Sequence, residues 1–169
     1  MEMNHCRRCG SALTGTHGAF VCANGHTLYS NPAPTVGVFL LTPSRKVILS
    51  VRGIDPGRGG LDTIGGFVDD DESFEQAIIR EILEETGLRK EQYSSLTYLT
   101  SAPSTYEFGG ESRNVLTCFY HATLLPGAEA VAADDVAELV TIAPGDIVID
   151  DMWSNDTRIA AEALLKVIT

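Results

Sequence analysis

The chain has 169 residues, 44% of them hydrophobic, which is enough for one domain with a sizeable core and a small appendage. Its formal net charge of −11 argues against duplex DNA as a partner, because binding to a long phosphate backbone needs a basic surface; a small anionic substrate is admitted where metal ions neutralise it locally. No apolar run is long enough to span a bilayer and the N-terminus lacks a signal-peptide h-region, so the expectation is a soluble, cytoplasmic protein with no membrane partner.

Residues 1–30 form the first predicted unit. Cys6 and Cys9 make a CxxC knuckle, and Gly10 and the small residues after it let the backbone fold back. Cys22 and His26 follow at a spacing suited to a second knuckle. Together they make a Cys₃His set of the structural zinc type, with His5 and His17 as weaker alternatives to His26. A segment this short buries little core, so a Zn²⁺ ion would supply its folding energy. The competing reading is a degenerate hairpin that has lost its metal.

Residues 31–34, Asn-Pro-Ala-Pro, read as a stiff, extended linker to a domain at 35–169. Residues 35–41 are β-branched and apolar, a buried strand, and 46–52 give a second. Arg52 ends that strand, where it meets either a phosphate or solvent. Residues 54–60 are Gly-rich and contain Asp55, Pro56 and Arg58, the composition of a mobile, substrate-contacting flap. Gly65 and Gly66 then permit positive φ and close approach of the backbone to a phosphate group.

Ser73 and Gln76 form a capping-box pattern that opens a helix, and Gly87-Leu88 reads as its stop. Phe74, Ala77, Ile78, Ile82 and Leu83 recur at helical spacing as its apolar face. On the polar face stand Arg80, Glu81, Glu84 and Glu85. The three glutamates at i, i+3 and i+4 point the same way, at a cost of roughly 0.2–0.5 kcal/mol per like-charged pair. They also lie near the negative end of the helix dipole. A divalent cation would reverse that cost, and hard carboxylate oxygens suit Mg²⁺ or Mn²⁺. The alternative is a solvated acidic face.

Further along, residues 96–100 and 114–124 read as strands. Between them, 102–110 reads as a loop carrying Tyr106 and Phe108, either of which offers a ring to stack on a base or to tuck onto the core. Asp134, Asp135 and Glu138 precede a strand at 139–142, residues 144–153 are irregular, and 157–168 form a closing amphipathic helix.

Gly66, Glu72 and the run Arg80-Glu81-Ile82-Leu83-Glu84-Glu85-Thr86-Gly87-Leu88 resemble the Nudix box at every fixed position. The resemblance implies an α/β fold, a sandwich with a mixed, curled sheet between helices. It also implies a hydrolase that cleaves the phosphoanhydride of a nucleoside diphosphate linked to another moiety. In that family Glu81, Glu84 and Glu85 would hold the Mg²⁺ or Mn²⁺, Arg80 would orient a carboxylate, and Gly65, Gly66, Arg52, Arg58 and Tyr106 would meet the substrate. A further acidic residue, matched best by Asp135 and next by Glu138, would act as ligand or base. The ribbon and its junction resemble those of NADH pyrophosphatases, which implies a homodimer. The proline- and tryptophan-rich signature that those enzymes carry after the box does not follow here. ADP-ribose, NADH-type dinucleotides, diadenosine polyphosphates and modified nucleoside triphosphates all suit the box. Outside the enzymes, a nucleotide sensor or an RNA- or protein-binding module on the same scaffold is the alternative.

Overall fold

The computed structural model describes residues 3–16 and 18–168; His17 and the side chains of Thr16 and Phe108 lie outside the described residues. Strands β1 (Leu13–Thr16), β2 (Ala19–Cys22) and β3 (Thr27–Tyr29) form a small antiparallel sheet. Its core is Cys6, Cys22 and Leu28, with Met3 and Leu13 packed against them. So few apolar groups bury too little surface to hold a fold alone.

The larger sheet contains β4 (Ala33–Leu41), β5 (Val47–Arg52), β6 (Leu61–Asp62), β7 (Thr97–Phe108), β8 (Glu111–Thr123) and β9 (Val136–Ile142). Its order is β6-β5-β4-β8-β7, with β9 also paired to β5. β4 and β8 run parallel and the other pairings are antiparallel. β4 begins at Ala33, so the second half of the Asn-Pro-Ala-Pro segment is already paired to β8.

β4 is buried on both faces, which is why it reads as an unbroken apolar run. Val36, Val38 and Leu40 face helix α1 (Phe74–Thr86), where Ala77, Ile78 and Ile82 cover them. Phe39 and Leu41 face helix α2 (Asn155–Ile168), against Ala160, Ala161, Leu164 and Ile168. The period of two along the strand thus places one helix on each side of the mixed sheet, the expected α/β/α sandwich. Burial of each Ile on α1 contributes about 1.5–3 kcal/mol.

Three details differ from the sequence-based expectation. The 102–110 segment is not a loop but most of β7, joined to β8 by Gly109 and Gly110. Pro103 is accommodated because β7 is an edge strand, where a missing N–H costs no ladder bond. Phe74 and Leu83 are not on the covered face of α1; they are 39% and 49% exposed. Glu81 and Glu85 are buried instead, each only 8% exposed.

β4 and β5 pair only at Leu40↔Ile48 and Leu41↔Val47 before diverging. The chain after β6 fills part of the opening: Val38 N–H donates to the carbonyl of Ile64 at 2.8 Å, and Val36 N–H to that of Gly66 at 2.9 Å. A cavity of about 320 Å³ occupies what remains. No helix among the described residues is long and apolar enough to cross a membrane.

Candidate active site

The cavity wall nearest α1 is built by the capping box and the glycine pair. Ser73 accepts from Gln76 N–H and Gln76 returns the bond, while Gly87 closes the helix in the left-handed region at φ 68°. With both ends fixed, Arg80, Glu81, Glu84 and Glu85 are held in register over the 65–67 loop. Gly65 lies at φ 150° and its N–H donates to Glu85 Oε2 at 3.0 Å. A side chain at Gly65 would start 2.1 Å from the Val36 carbonyl oxygen, and one at Gly66 would start 2.5 Å from Glu81 Oε1. Both glycines are needed for the loop to lie between β4 and the helix carboxylates.

Arg80 is the hub of this wall. Nε and Nη2 grip the two oxygens of Glu72, each at 2.8 Å. Nη1 donates to Glu81 at 2.7 Å and Glu84 at 3.0 Å, and Nη2 also reaches the Phe67 carbonyl at 3.0 Å. These carboxylates, Glu72 foremost, raise the guanidinium's proton affinity further, and Arg80 in turn lowers that of Glu72. Like-charge repulsion along the helix is relieved chiefly by this one residue.

Glu85 lacks such a counterion. Burial pushes it up to about 8 against the pull of the Gly65 N–H, with the charges of Glu81, Asp62 and Asp134 acting in the same direction as burial. Burial raises Glu81 as well, despite Arg80. Among the described residues no three carboxylates converge as closely as Cys6, Cys9, Cys22 and His26 do in the ribbon. Glu81, Glu84 and Glu85 all line the cavity and offer it hard oxygen donors, which could hold a dication completed by phosphate oxygens and water.

The opposite wall joins residues far apart in sequence. Asp62 accepts from Arg52 Nη1 at 3.0 Å, Trp153 Nε1 at 2.6 Å, Thr63 N–H at 2.8 Å and Thr157 Oγ1 at 2.9 Å. Arg52 lies over the Trp153 ring at 4.3 Å and reaches Tyr106 Oη at 3.4 Å. Tyr106 stands edge-on to both Phe67, at 5.5 Å, and Trp153, at 6.0 Å. Arg52 and Tyr106 therefore both line the cavity, as does Asp135. Arg58 does not: it is largely exposed and lies 4.0 Å from Asp55. The 54–60 segment is anchored, since Arg52 Nε holds the Pro56 carbonyl at 2.8 Å. A Cβ at Gly57 or Gly60 would lie 2.4 or 2.6 Å from Trp153 atoms, so Trp153 packs directly on that loop.

Asp134 was missed by sequence reasoning. The loop before β9 docks on the end of α1, where Val131 N–H and Ala133 N–H each donate at 3.0 Å, to the carbonyls of Thr86 and Glu85. That docking carries Asp134 to the glutamates, whose proton affinity its charge raises. Asp135 beside it also lines the cavity, and Glu138 does not. Asp62, Trp153 and the buried Asp156 were missed for another reason: each acquires its role only through contacts across the fold.

A second cluster lies in the ribbon. Cys6 Sγ is 3.6 Å from His26 Nδ1, Cys9 Sγ is 3.7 Å from Cys22 Sγ, and all four ligand atoms lie within 4.8 Å of one another. Zn–S bonds of about 2.3 Å in a tetrahedron imply S···S edges of about 3.8 Å, so the set fits one such ion.

A family model described as the NUDIX domain matches residues 31–163. The chain is 33% identical over 113 residues to an ADP-ribose pyrophosphatase of Methanocaldococcus jannaschii, covering 67% of this chain and 63% of the relative. It is 32% identical over 116 residues to the NAD-capped RNA hydrolase NudC of Pasteurella multocida, covering 61% of this chain and 42% of the relative. The chain thus spans less than two thirds of either relative's length. The crystal structure of a NUDIX hydrolase from Nitrosomonas europaea superposes with a TM-score of 0.68 at 22% identity, covering 98% of this chain and 90% of that one, a likeness of fold. With the family model matching four fifths of its length and the carboxylate helix seated on its glycine loop, the chain belongs to the NUDIX domain family.

Proposed function

We propose that this protein is a metal-dependent pyrophosphohydrolase that cleaves the phosphoanhydride of a nucleoside diphosphate linked to a second group, in keeping with the ADP-ribose pyrophosphatase and NAD-capped RNA hydrolase among its relatives. One observation carries the reading: Glu81 and Glu85 are buried without enough positive charge to balance them, and both line the cavity. A site that only sensed nucleotides would have no need of carboxylates kept at this cost.

Glu81, Glu84 and Glu85 would hold Mg²⁺ or Mn²⁺, which when bound neutralises the diphosphate and stabilises charge developing at phosphorus. Arg80 orients Glu81 and Glu84 and ties them to the 67–72 loop. Gly65 N–H orients Glu85. Water attacks one phosphorus; its oxygen forms the new P–O bond as the bridging oxygen leaves in line with the other phosphate. The water's proton passes to a carboxylate of the cavity, for which Glu85, Asp134 and Asp135 are the candidates. Tyr106 and Phe67 supply rings on which a base stacks.

Cys6, Cys9, Cys22 and His26 are proposed to hold a structural Zn²⁺ that stabilises the ribbon. The test of the enzymatic reading is a panel of ADP-ribose, NADH, diadenosine polyphosphate and nucleoside triphosphates, each with Mg²⁺ or Mn²⁺ and read by product chromatography. Metal-dependent release of a nucleoside monophosphate from at least one is expected, and none from any of them would reject the reading.

A further inference from the structure

Beyond the carboxylate helix, the inner wall of the same cavity carries a hydrogen-bonded ladder with no part in the chemistry above. Thr35 on β4 and Thr117 on β8 stand opposite each other in the parallel register, their hydroxyls 2.8 Å apart. Thr117 donates its proton to Asp156 at the start of α2, and Ser154 donates to the other oxygen of that carboxylate. Thr35, Thr117, Ser154 and Asp156 are each at least nine-tenths buried, and all four line the cavity.

The direction of the protons is fixed. A hydroxyl has one proton to give. Thr117 spends its proton on Asp156, so it receives that of Thr35. Thr35 is then left with lone pairs alone, and the two oxygens of Asp156 accept from Thr117 and Ser154. The Thr35–Thr117–Asp156 ladder therefore accepts hydrogen bonds and gives none. The two guanidiniums that line the cavity are already engaged, Arg52 by Asp62 and Arg80 by three glutamates, while seven carboxylates line it. A terminal phosphate, which only accepts, would find no donor on Thr35, Thr117 or Asp156 and would face the acidic groups around them.

We infer that Thr35, Thr117 and Asp156 form a specificity wall for the group beyond the diphosphate, and that this group is a neutral, hydroxyl-bearing cap such as a sugar rather than a further phosphate. The inference rests on the pyrophosphohydrolase reading for the position of the diphosphate, at the glutamates. Val36, next to Thr35, donates to the Gly66 carbonyl, so the ladder's open end adjoins the loop that seats those glutamates.

The experiment is calorimetric binding, which needs no turnover. The probes are the α,β-methylene analogue of ADP-ribose, α,β-methylene ATP and ADP, each with Mn²⁺ and the full chain. The sugar-capped analogue should bind at least about tenfold tighter than the triphosphate analogue. Thr35→Val should erase that advantage while changing ADP affinity less than about twofold, and Thr35→Ser, which keeps the acceptor, should restore it. Equal or tighter binding of the triphosphate analogue, or no binding of either, overturns the wall. Parallel losses for ADP and the capped analogue in Thr35→Val also overturn it, since they mark a structural role. Failure to hydrolyse unmodified ADP-ribose despite selective binding would count against the enzymatic reading and leave the wall standing.

Discussion

Glu85 is where the physical argument is sharpest. Its carboxylate is buried, accepts from Gly65 N–H, and has no guanidinium to balance it. Glu85→Gln keeps the shape and the Gly65 bond and removes the charge. Turnover of whichever diphosphate the protein cleaves should fall about a hundredfold or more. At pH 6 without added metal the melting temperature should stay within about 3 °C of the wild type, because Glu85, raised to about 8, is then protonated and the amide replaces it in shape and charge. Undiminished turnover would remove Glu85 from the site. Gly66 offers a second test. Its backbone conformation admits alanine, but the new methyl would lie 2.5 Å from Glu81 Oε1. That oxygen is held by Arg80, so Gly66→Ala should turn the carboxylate aside. Titration of activity against Mn²⁺ should show the half-saturating metal concentration rising by about tenfold, as a displacement near 1 Å at a reacting centre commonly costs at least that. An unchanged titration would separate Glu81 from metal binding.

Among the elements, α1 was legible because its signals are local: a cap at Ser73, a stop at Gly87 and carboxylates three and four apart all lie within one stretch. Its burial was less legible, since the hydrophobic pattern assigned Phe74 and Leu83 to the covered face. The site takes that surface instead for Glu81 and Glu85. Sequence patterning predicts a strand for the first residues of β7 but a loop for its second part, 102–108, because Pro103 suggests a break; that β7 lies at a sheet edge is a tertiary fact. The ribbon's Cys₃His set was legible in the sequence and is brought together by the fold, and the proposal that a metal holds it rests on a core of only three buried residues. Zinc analysis should find about one ion per chain. Removing it with a chelator should expose the Arg7 and Arg8 bonds to trypsin while the β4–α2 region stays protected. Well under one zinc per chain, or unchanged proteolysis after chelation, would favour the metal-free hairpin.

At the scale of the whole molecule, the cavity is a meeting of elements that no local pattern announces. Asp62 binds Trp153 and Thr157, 91 and 95 residues further along, and Thr117 binds Asp156, 39 residues on. These contacts exist only once α2 has closed over the sheet, so sequence spacing carried no trace of them. The glutamate wall and the Asp62–Asp156 wall together concentrate negative charge in one low-dielectric space, and the fold pays for it in pH-dependent stability. Burial raises Glu85 to about 8 and raises Glu81 and Asp62 in the same direction. A carboxyl whose folded pKa exceeds its unfolded value near 4.5 holds its proton in the folded state where the unfolded chain has released it. Stability from this source is therefore complete below about 4.5 and declines as pH rises towards 8. Depressed groups such as Glu72 act in the opposite sense, around and below 4.5, outside that window. The ribbon thiols titrate too, so the clean measurement is a difference. Without added Mg²⁺ or Mn²⁺, the stability of Glu85→Gln relative to wild type should grow as pH rises from 6 to 8.5, by an amount on the order of a few kcal/mol. With saturating Mn²⁺ the sign should reverse at the alkaline end, because the ionised Glu85 then has a counterion and the amide does not. Denaturant melts of both proteins across that range, with and without Mn²⁺, measure both slopes. A difference that is flat with pH, or unmoved by Mn²⁺, would mean that Glu85 neither carries the buried charge nor receives the metal.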